Sequence, residues 1–173
     1  MGFYSVSQII SDAKNHGIEI LNICINNSLW DNTIEPVTKK GFGLRIGFRQ
    51  INGLSNEDAY KIIYNRNNGY NKIRDVWYHS GISYKTLVKL IKSDCFIQLG
   101  LKRTEALWEA QKLRSTKHMS LFERKYEEPL IHETNTILPE ETKGHGLVKD
   151  YNILNFSLRS HPLALLRSFL EKG

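Results

Sequence analysis

The sequence predicts a mainly α fold: two consecutive helical hairpins behind a small strand-containing N-terminal piece, α+β overall. Three observations lead there. The chain has 173 residues, 40% of them hydrophobic and 24% charged, which suits a soluble domain able to bury a core without staples. One short pattern, Gly-apolar-Ser followed by a helical apolar stripe, starts at Gly53 and again at Gly81. Between and after these copies the apolar spacing is helical, and only two short β-branched or glycine-flanked runs precede them.

Taken in order, Ser5 to Asn15 reads as a helix, because Val6, Ile9, Ile10 and Ala13 recur at helical spacing and Gly17 stands where a helix stops. Ile18 to Ile25 reads as a buried strand, rich in β-branched residues. Asn26 to Asn32 is turn-forming, and Gly43 to Phe48 is a second short strand. From there the pattern is helical to about Leu113 and fades beyond Arg114. Glu127 to Glu141 holds five glutamates, two prolines and no Lys or Arg, a linker composition. Leu147 to Leu170 recovers helical spacing, with Leu163, Leu166 and Leu170 on one face after Pro162. That face calls for a partner outside the chain. The expected division is therefore 1–36, a helix plus strand; 37–113, the paired hairpins; 114–146, an acidic linker; and 147–173, a connector.

The repeat carries the functional reading. Gly53-Leu54-Ser55, with Ala59, Lys61, Ile62 and Ile63, is matched by Gly81-Ile82-Ser83, with Leu87, Lys89, Leu90 and Ile91. The glycine permits the positive φ at which a chain reverses. The apolar residue after it plugs the hairpin into the core, and the serine caps the next helix, with Asp58 close to a capping box. Short helical segments, Phe48 to Ile51 and Ile73 to His79, precede the glycines. Helix, Gly-apolar-Ser turn, helix, occurring twice, is a tandem helix-hairpin-helix. Such a turn points unpaired backbone N–H groups and a helix N-terminus outward, where phosphate oxygens accept from them. Asn52, Gly53, Leu54 and Ser55 are candidates for one phosphate site and Gly81, Ile82 and Ser83 for the other, with Arg49, Lys61, Lys85 and Lys89 supplying charge. Contacts of this kind position DNA without reading its sequence. The same glycines and serines also suit ordinary caps of a helical bundle; two copies in register favour DNA.

Charge segregation points the same way. Net charge is +6, yet residues 39 to 125 carry 18 basic and 7 acidic side chains while the remainder carries 6 and 11. A basic block between acidic flanks is the footprint of a nucleic-acid surface; a solvated lysine-rich helical face is the competing reading.

Tyr4 to Gly17, Leu44 to Ser55, Ile73 to Trp77, Leu99 to Trp108, Ser120 to Phe122, Asp150-Tyr151 and Ser157 to Pro162 together resemble the C-terminal part of C-family bacterial DNA polymerases. The similarity is greatest to their error-prone, translesion α-subunit-like branch. The resemblance implies the end of the fingers followed by the tandem helix-hairpin-helix, stopping before an OB domain. It implies part of a longer enzyme, a DNA-directed DNA polymerase acting in damage-induced mutagenesis. It further implies DNA, the rest of the polymerase chain, a sliding clamp and mutagenesis accessory proteins as partners. A stand-alone helix-hairpin-helix adaptor and the same region of a replicative polymerase III α subunit are the other readings. Three departures stand out: Asp94 replaces the usual glycine in Ser93-Asp94-Cys95-Phe96, Lys102 replaces an acidic residue, and His145-Gly146 weakens the connector. Asp tolerates the left-handed conformation, so the turn at Asp94 is expected to survive.

Polymerase chemistry needs paired carboxylates holding two Mg²⁺ ions, and in these enzymes they lie in the palm, upstream of the segments matched. Asp12, Asp31 and Asp75 are isolated, and Glu57-Asp58 is a first-turn helix charge pair. No catalytic residue, metal ligand or cofactor is expected in this chain; Mg²⁺ belongs to the longer polymerase. The six histidines lack zinc-site spacing, and Gly41-Phe42-Gly43 and Gly144-His145-Gly146 lack a phosphate-loop context. Two cysteines, Cys24 and Cys95, suggest packed thiols in a cytoplasmic protein. No signal peptide and no membrane span are expected, since no apolar run approaches ~18 residues. Lys117 to Phe122 faintly resembles a clamp-binding peptide in its Leu121-Phe122 pair but lacks the leading Gln, and an ordinary hydrophobic anchor for the linker is the favoured reading.

Overall fold

The computed structural model describes residues 4–37, 41–118, 141–159 and 162–170. Ser5 caps α1 (Val6–Asn15) in a full capping box with Gln8. The expected apolar face of α1 is largely solvent-exposed: Ile10 alone is buried, while Val6 and Ile9 are exposed.

The strand expected over residues 18–25 is shorter than its hydrophobicity suggests. β1 covers Glu19–Leu21 and pairs parallel with β3 (Gly41–Arg45). Ile23, Cys24 and Ile25 are buried outside any strand, and the Ile25 N–H donates to the Cys95 carbonyl at 3.0 Å. This run is hydrophobic because it plugs the helical core, a role that composition does not distinguish from a strand. A third strand, β2 (Thr33–Val37), was not expected; it pairs antiparallel with β3 and gives the order β1-β3-β2. It contains Pro36, which an edge strand accommodates. Below the sheet, buried Arg45 forks onto Glu35 (2.8–3.1 Å) and donates to the Asn22 carbonyl.

The helical unit follows. A 3₁₀ turn (Phe48–Gln50) leads to α2 (Asn56–Tyr64), and α3 (Ile73–Ser80) leads to α4 (Tyr84–Lys92). Ala59, Ile62, Leu87, Leu90 and Ile91 are buried, as the repeated stripe requires, and Ile63 packs at their edge. Phe48, Ile51, Tyr70, Ile73, Val76 and Phe96 complete the centre; the Tyr70 hydroxyl donates to the Ile62 carbonyl at 2.8 Å. Both cysteines are free and buried, and burial pushes the Cys95 thiol well up, away from reactivity.

α5 (Arg103–His118) runs past the expected end near Leu113, and α6 (Lys143–Leu154) begins inside the stretch expected as linker. The interior of that linker and Leu121-Phe122 lie outside the described residues. α6 packs on the rest of the chain: Leu147, Leu154 and the following Phe156 are buried, the last two within the same core cluster. Each such side chain contributes about 1.5–3 kcal/mol of burial. His145 and Gly146 lie within α6. A Cβ at 146 would stand 2.9 Å from Arg159 Nη1, so the small residue admits a close approach. α7 (Pro162–Leu170) closes the described chain; Leu163 is exposed, and the side chains of Leu166 and Leu170 lie outside the described residues.

Asp94 adopts the left-handed conformation (φ +61°), and its carboxylate explains the departure from glycine. Arg103 Nε and Nη2 bond the two Asp94 oxygens at 3.0 and 2.6 Å, and Nη2 also reaches Asp150 at 2.6 Å. Arg159 pairs with Asp94 as well, Lys149 with Glu141, and the Ser157 hydroxyl donates to Asp150. Burial alone would lower the Arg103 pKa, but the bonds and charges of Asp150 and Asp94 outweigh it and hold the cation. Three cations and three carboxylates thus bind α6 and the 157–159 segment to the end of the second hairpin.

Candidate nucleic-acid interface

The first turn is built by Ile51 to Leu54: the Leu54 N–H donates to the Ile51 carbonyl at 3.1 Å, and Gly53 takes φ +68°. Leu54 enters the core and Ser55 caps α2, accepting from the Asp58 N–H at 3.1 Å. In the second turn Gly81 closes α3 in the left-handed conformation (φ +64°), its N–H bonded to the Trp77 carbonyl. Ile82 is buried, and Ser83 caps α4 by accepting from the Thr86 N–H at 3.1 Å. The serines and glycines are exposed.

The backbone donors divide into two groups. The Leu54 and Gly81 N–H groups are spent inside the turns, and that of Asn52 donates to the Ile153 carbonyl at 2.8 Å. Among the described residues, the N–H groups of Gly53, Ser55, Ile82 and Ser83 donate to no other group. To these are added the first amides of α2 and α4, which no intrahelical carbonyl satisfies. Each turn therefore holds a small set of unspent donors at the positive end of a helix dipole. Asn52 is a docking residue: its Oδ1 accepts from Asn155 Nδ2 at 3.1 Å, tying the first hairpin to the end of α6.

Two contacts set the hairpins side by side. Thr86 Oγ1 donates to Asp58 Oδ2 at 2.8 Å, and Lys89 Nζ donates to the Gly53 carbonyl. Neither was singled out from sequence, although Asp58 and Thr86 stand at equivalent repeat positions and the 28-residue offset points to both. Lys89 leaves its own hairpin and brings its ammonium to the first one; a Cβ on Gly53 would lie 2.9 Å from that Nζ. Its repeat counterpart Lys61 turns to Glu57 at 2.8 Å, and that hydrogen bond and charge raise the Lys61 pKa. Arg49 pairs with Asp31 at 3.0 Å, both exposed; exposed pairs of this kind open readily to a stronger anion. Lys85 is exposed and, among the described residues, makes no ion pair. Among the described residues, no group of three or more His, Cys, Asp or Glu is placed to hold a metal ion, and no helix is long and apolar enough to cross a membrane.

Two capped turns with free amides, joined across a shared contact, define a tandem helix-hairpin-helix. The chain belongs to the helix-hairpin-helix motif family, whose model matches residues 17–106. Over nearly its whole length it is also similar to part of known error-prone DNA polymerases. It is 38% identical over 167 residues to the error-prone DNA polymerase of Ruegeria pomeroyi, covering 96% of this chain and 15% of that protein. To error-prone DNA polymerase 3 of Agrobacterium fabrum it is 38% identical over 179 residues, 99% of this chain and 16% of that protein. To the error-prone DNA polymerase of Brucella abortus it is 35% identical over 170 residues, 98% and 16% respectively. The chain thus spans about a sixth of the length of these relatives.

Proposed function

We propose that this chain is the DNA-holding segment of an error-prone DNA polymerase, binding the sugar-phosphate backbone without regard to sequence. The observation that carries the reading is the pair of exposed turns with unspent amides at Gly53, Ser55, Ile82 and Ser83, flanked by Lys85 and Lys89. The similarity to error-prone DNA polymerases supports the polymerase context. In that context residues 37–113 form the DNA-binding unit, residues 1–36 join it to the polymerase fingers, and residues 147–173 lead toward a further domain. The longer enzyme performs Mg²⁺-dependent nucleotidyl transfer in translesion synthesis in the cytoplasm. This chain contributes grip and supplies no catalytic residue. The clamp and mutagenesis accessory proteins are partners of the longer enzyme.

A salt titration of duplex DNA binding by the purified chain tests the reading. With four to six phosphates neutralised, log Kd against log salt has a slope of about 4 to 5, independent of base sequence. A slope near zero overturns it.

A further inference from the structure

The solvent face of α2 carries a second feature that the phosphate grip does not use. Glu57, Tyr60, Lys61 and Tyr64 follow at i, i+3, i+4 and i+7, opposite the buried Ala59 and Ile62. Tyr60 is 55% exposed and Tyr64 87%. With Ile63 and Asn65 they line a shallow open depression whose surface is apolar. Among the described residues neither ring contacts another aromatic ring, and neither hydroxyl has a hydrogen-bond partner.

Single exposed tyrosines need no explanation. These two differ by placement. They stand on the helix whose N-terminus carries the first phosphate site, with the Lys61 ammonium on the same stripe and within a segment of net charge +11. Flat, neutral rings on a stripe where Lys61 and Glu57 balance each other, within a segment that is net basic, are complementary to one ligand chemistry above others: a nucleobase on a negatively charged strand. Tyr60 and Tyr64 lie about 7 and 13 Å along the helix axis from Ser55. At about 3.4 Å per stacked base, that is two to four nucleotides from a phosphate held at the turn. The axial step between the rings is about 6 Å, near the 6.8 Å of about two base spacings. In a duplex the base faces are covered by their neighbours, so only an unpaired strand offers them.

We infer that Tyr60 and Tyr64 form a stacking ledge for unpaired bases of a DNA strand whose backbone is held at the first hairpin. This rests on the proposed DNA-holding function. It adds that the chain prefers DNA with a single-stranded extension over blunt duplex, and does so without base specificity.

The test uses fluorescence anisotropy with the full 173-residue chain and three labelled DNAs: blunt duplex, the same duplex with a thymine overhang, and oligo(dT). The proteins are wild type, Tyr60→Ala, Tyr64→Ala, and the corresponding Phe variants. The wild type binds tailed duplex more tightly than blunt. Each Ala variant weakens tailed duplex and oligo(dT) by at least about fivefold, the lower end of base–aromatic stacking. Blunt-duplex affinity and the salt slope change little, and both Phe variants retain binding. If Ala variants bind every DNA as wild type does, or weaken blunt and tailed duplex equally, the ledge is refuted while the phosphate grip stands. If the wild type binds no DNA, the proposed function falls and the ledge with it.

Discussion

Arg103→Met is the substitution with the largest calculable effect. The Arg103 side chain is 2% exposed and lies between Asp94 and Asp150, with Glu141 at 3.5 Å and the Gly146 carbonyl at 3.4 Å. The cluster balances Arg103, Lys149 and Arg159 against Asp94, Glu141 and Asp150. Methionine fills comparable volume but leaves three carboxylates facing two cations. Removing one partner of a buried pair costs about 3–5 kcal/mol. At about 2–4 °C per kcal/mol for a chain of this size, the melting temperature falls by about 6–20 °C. Adding Asp94→Asn restores the balance with a residue that also accepts φ > 0, so the double variant recovers about 1–3 kcal/mol of the loss. Thermal unfolding of the four proteins of this cycle, followed by circular dichroism, measures both quantities. A drop below about 2 °C for Arg103→Met (less than 1 kcal/mol) refutes the assignment of the cluster as a buried tie, as does strict additivity of the pair.

Three further outcomes are expected. Lys85→Ala lowers the salt slope of duplex binding by about one and leaves the melting temperature unchanged, whereas Lys89→Ala lowers both, because Lys89 also bonds the Gly53 carbonyl; equal melting temperatures count against the second role. Gly53→Val imposes a branched side chain on φ +68° and costs at least about 1–2 kcal/mol, with loss of duplex affinity in anisotropy; wild-type melting and binding contradict the turn's role. Burial pushes the Glu141 carboxyl up, but the Lys149 hydrogen bond and the charges of Arg103, Lys149 and Arg159 outweigh it and hold the pKa below its ordinary 4.5. A lowered folded pKa stabilises above the unfolded value and loses that stability as pH falls through the folded one. Glu141→Gln therefore melts at a lower temperature than wild type at pH 6, and the gap narrows below pH 4.5; a constant gap excludes the linkage.

What the sequence revealed, and what it hid, follows from how locally each feature is encoded. The hairpins were legible because cap chemistry is local: Gly53, Ser55, Gly81 and Ser83 each act on residues within a few positions, and the copy confirms the pattern. The left-handed turn at Asp94 was legible for the same reason. The sheet was not. β2 carries a proline that argues against a strand, and the buried run Ile23 to Ile25 has strand-like composition but fills the helical core. The Arg103 cluster drew on residues 94, 103, 141, 150 and 159, whose separations carry no periodicity. Asn52 was legible as a hairpin residue, yet its commitment to α6 depends on a chain segment a hundred residues away.

The hydrogen bond between Asp58 and Thr86 joins one repeat position to itself. In a unit made of two identical copies, this contact would set like against like, as in a homodimer across its two-fold axis. Two aspartates would repel there; two threonines would lose the charge-assisted bond. The present pair is favourable because the copies differ. Divergence of the hairpins is thus part of what fixes their mutual orientation, and neither position is free to drift alone. A substitution tolerated at 58 therefore depends on what stands at 86.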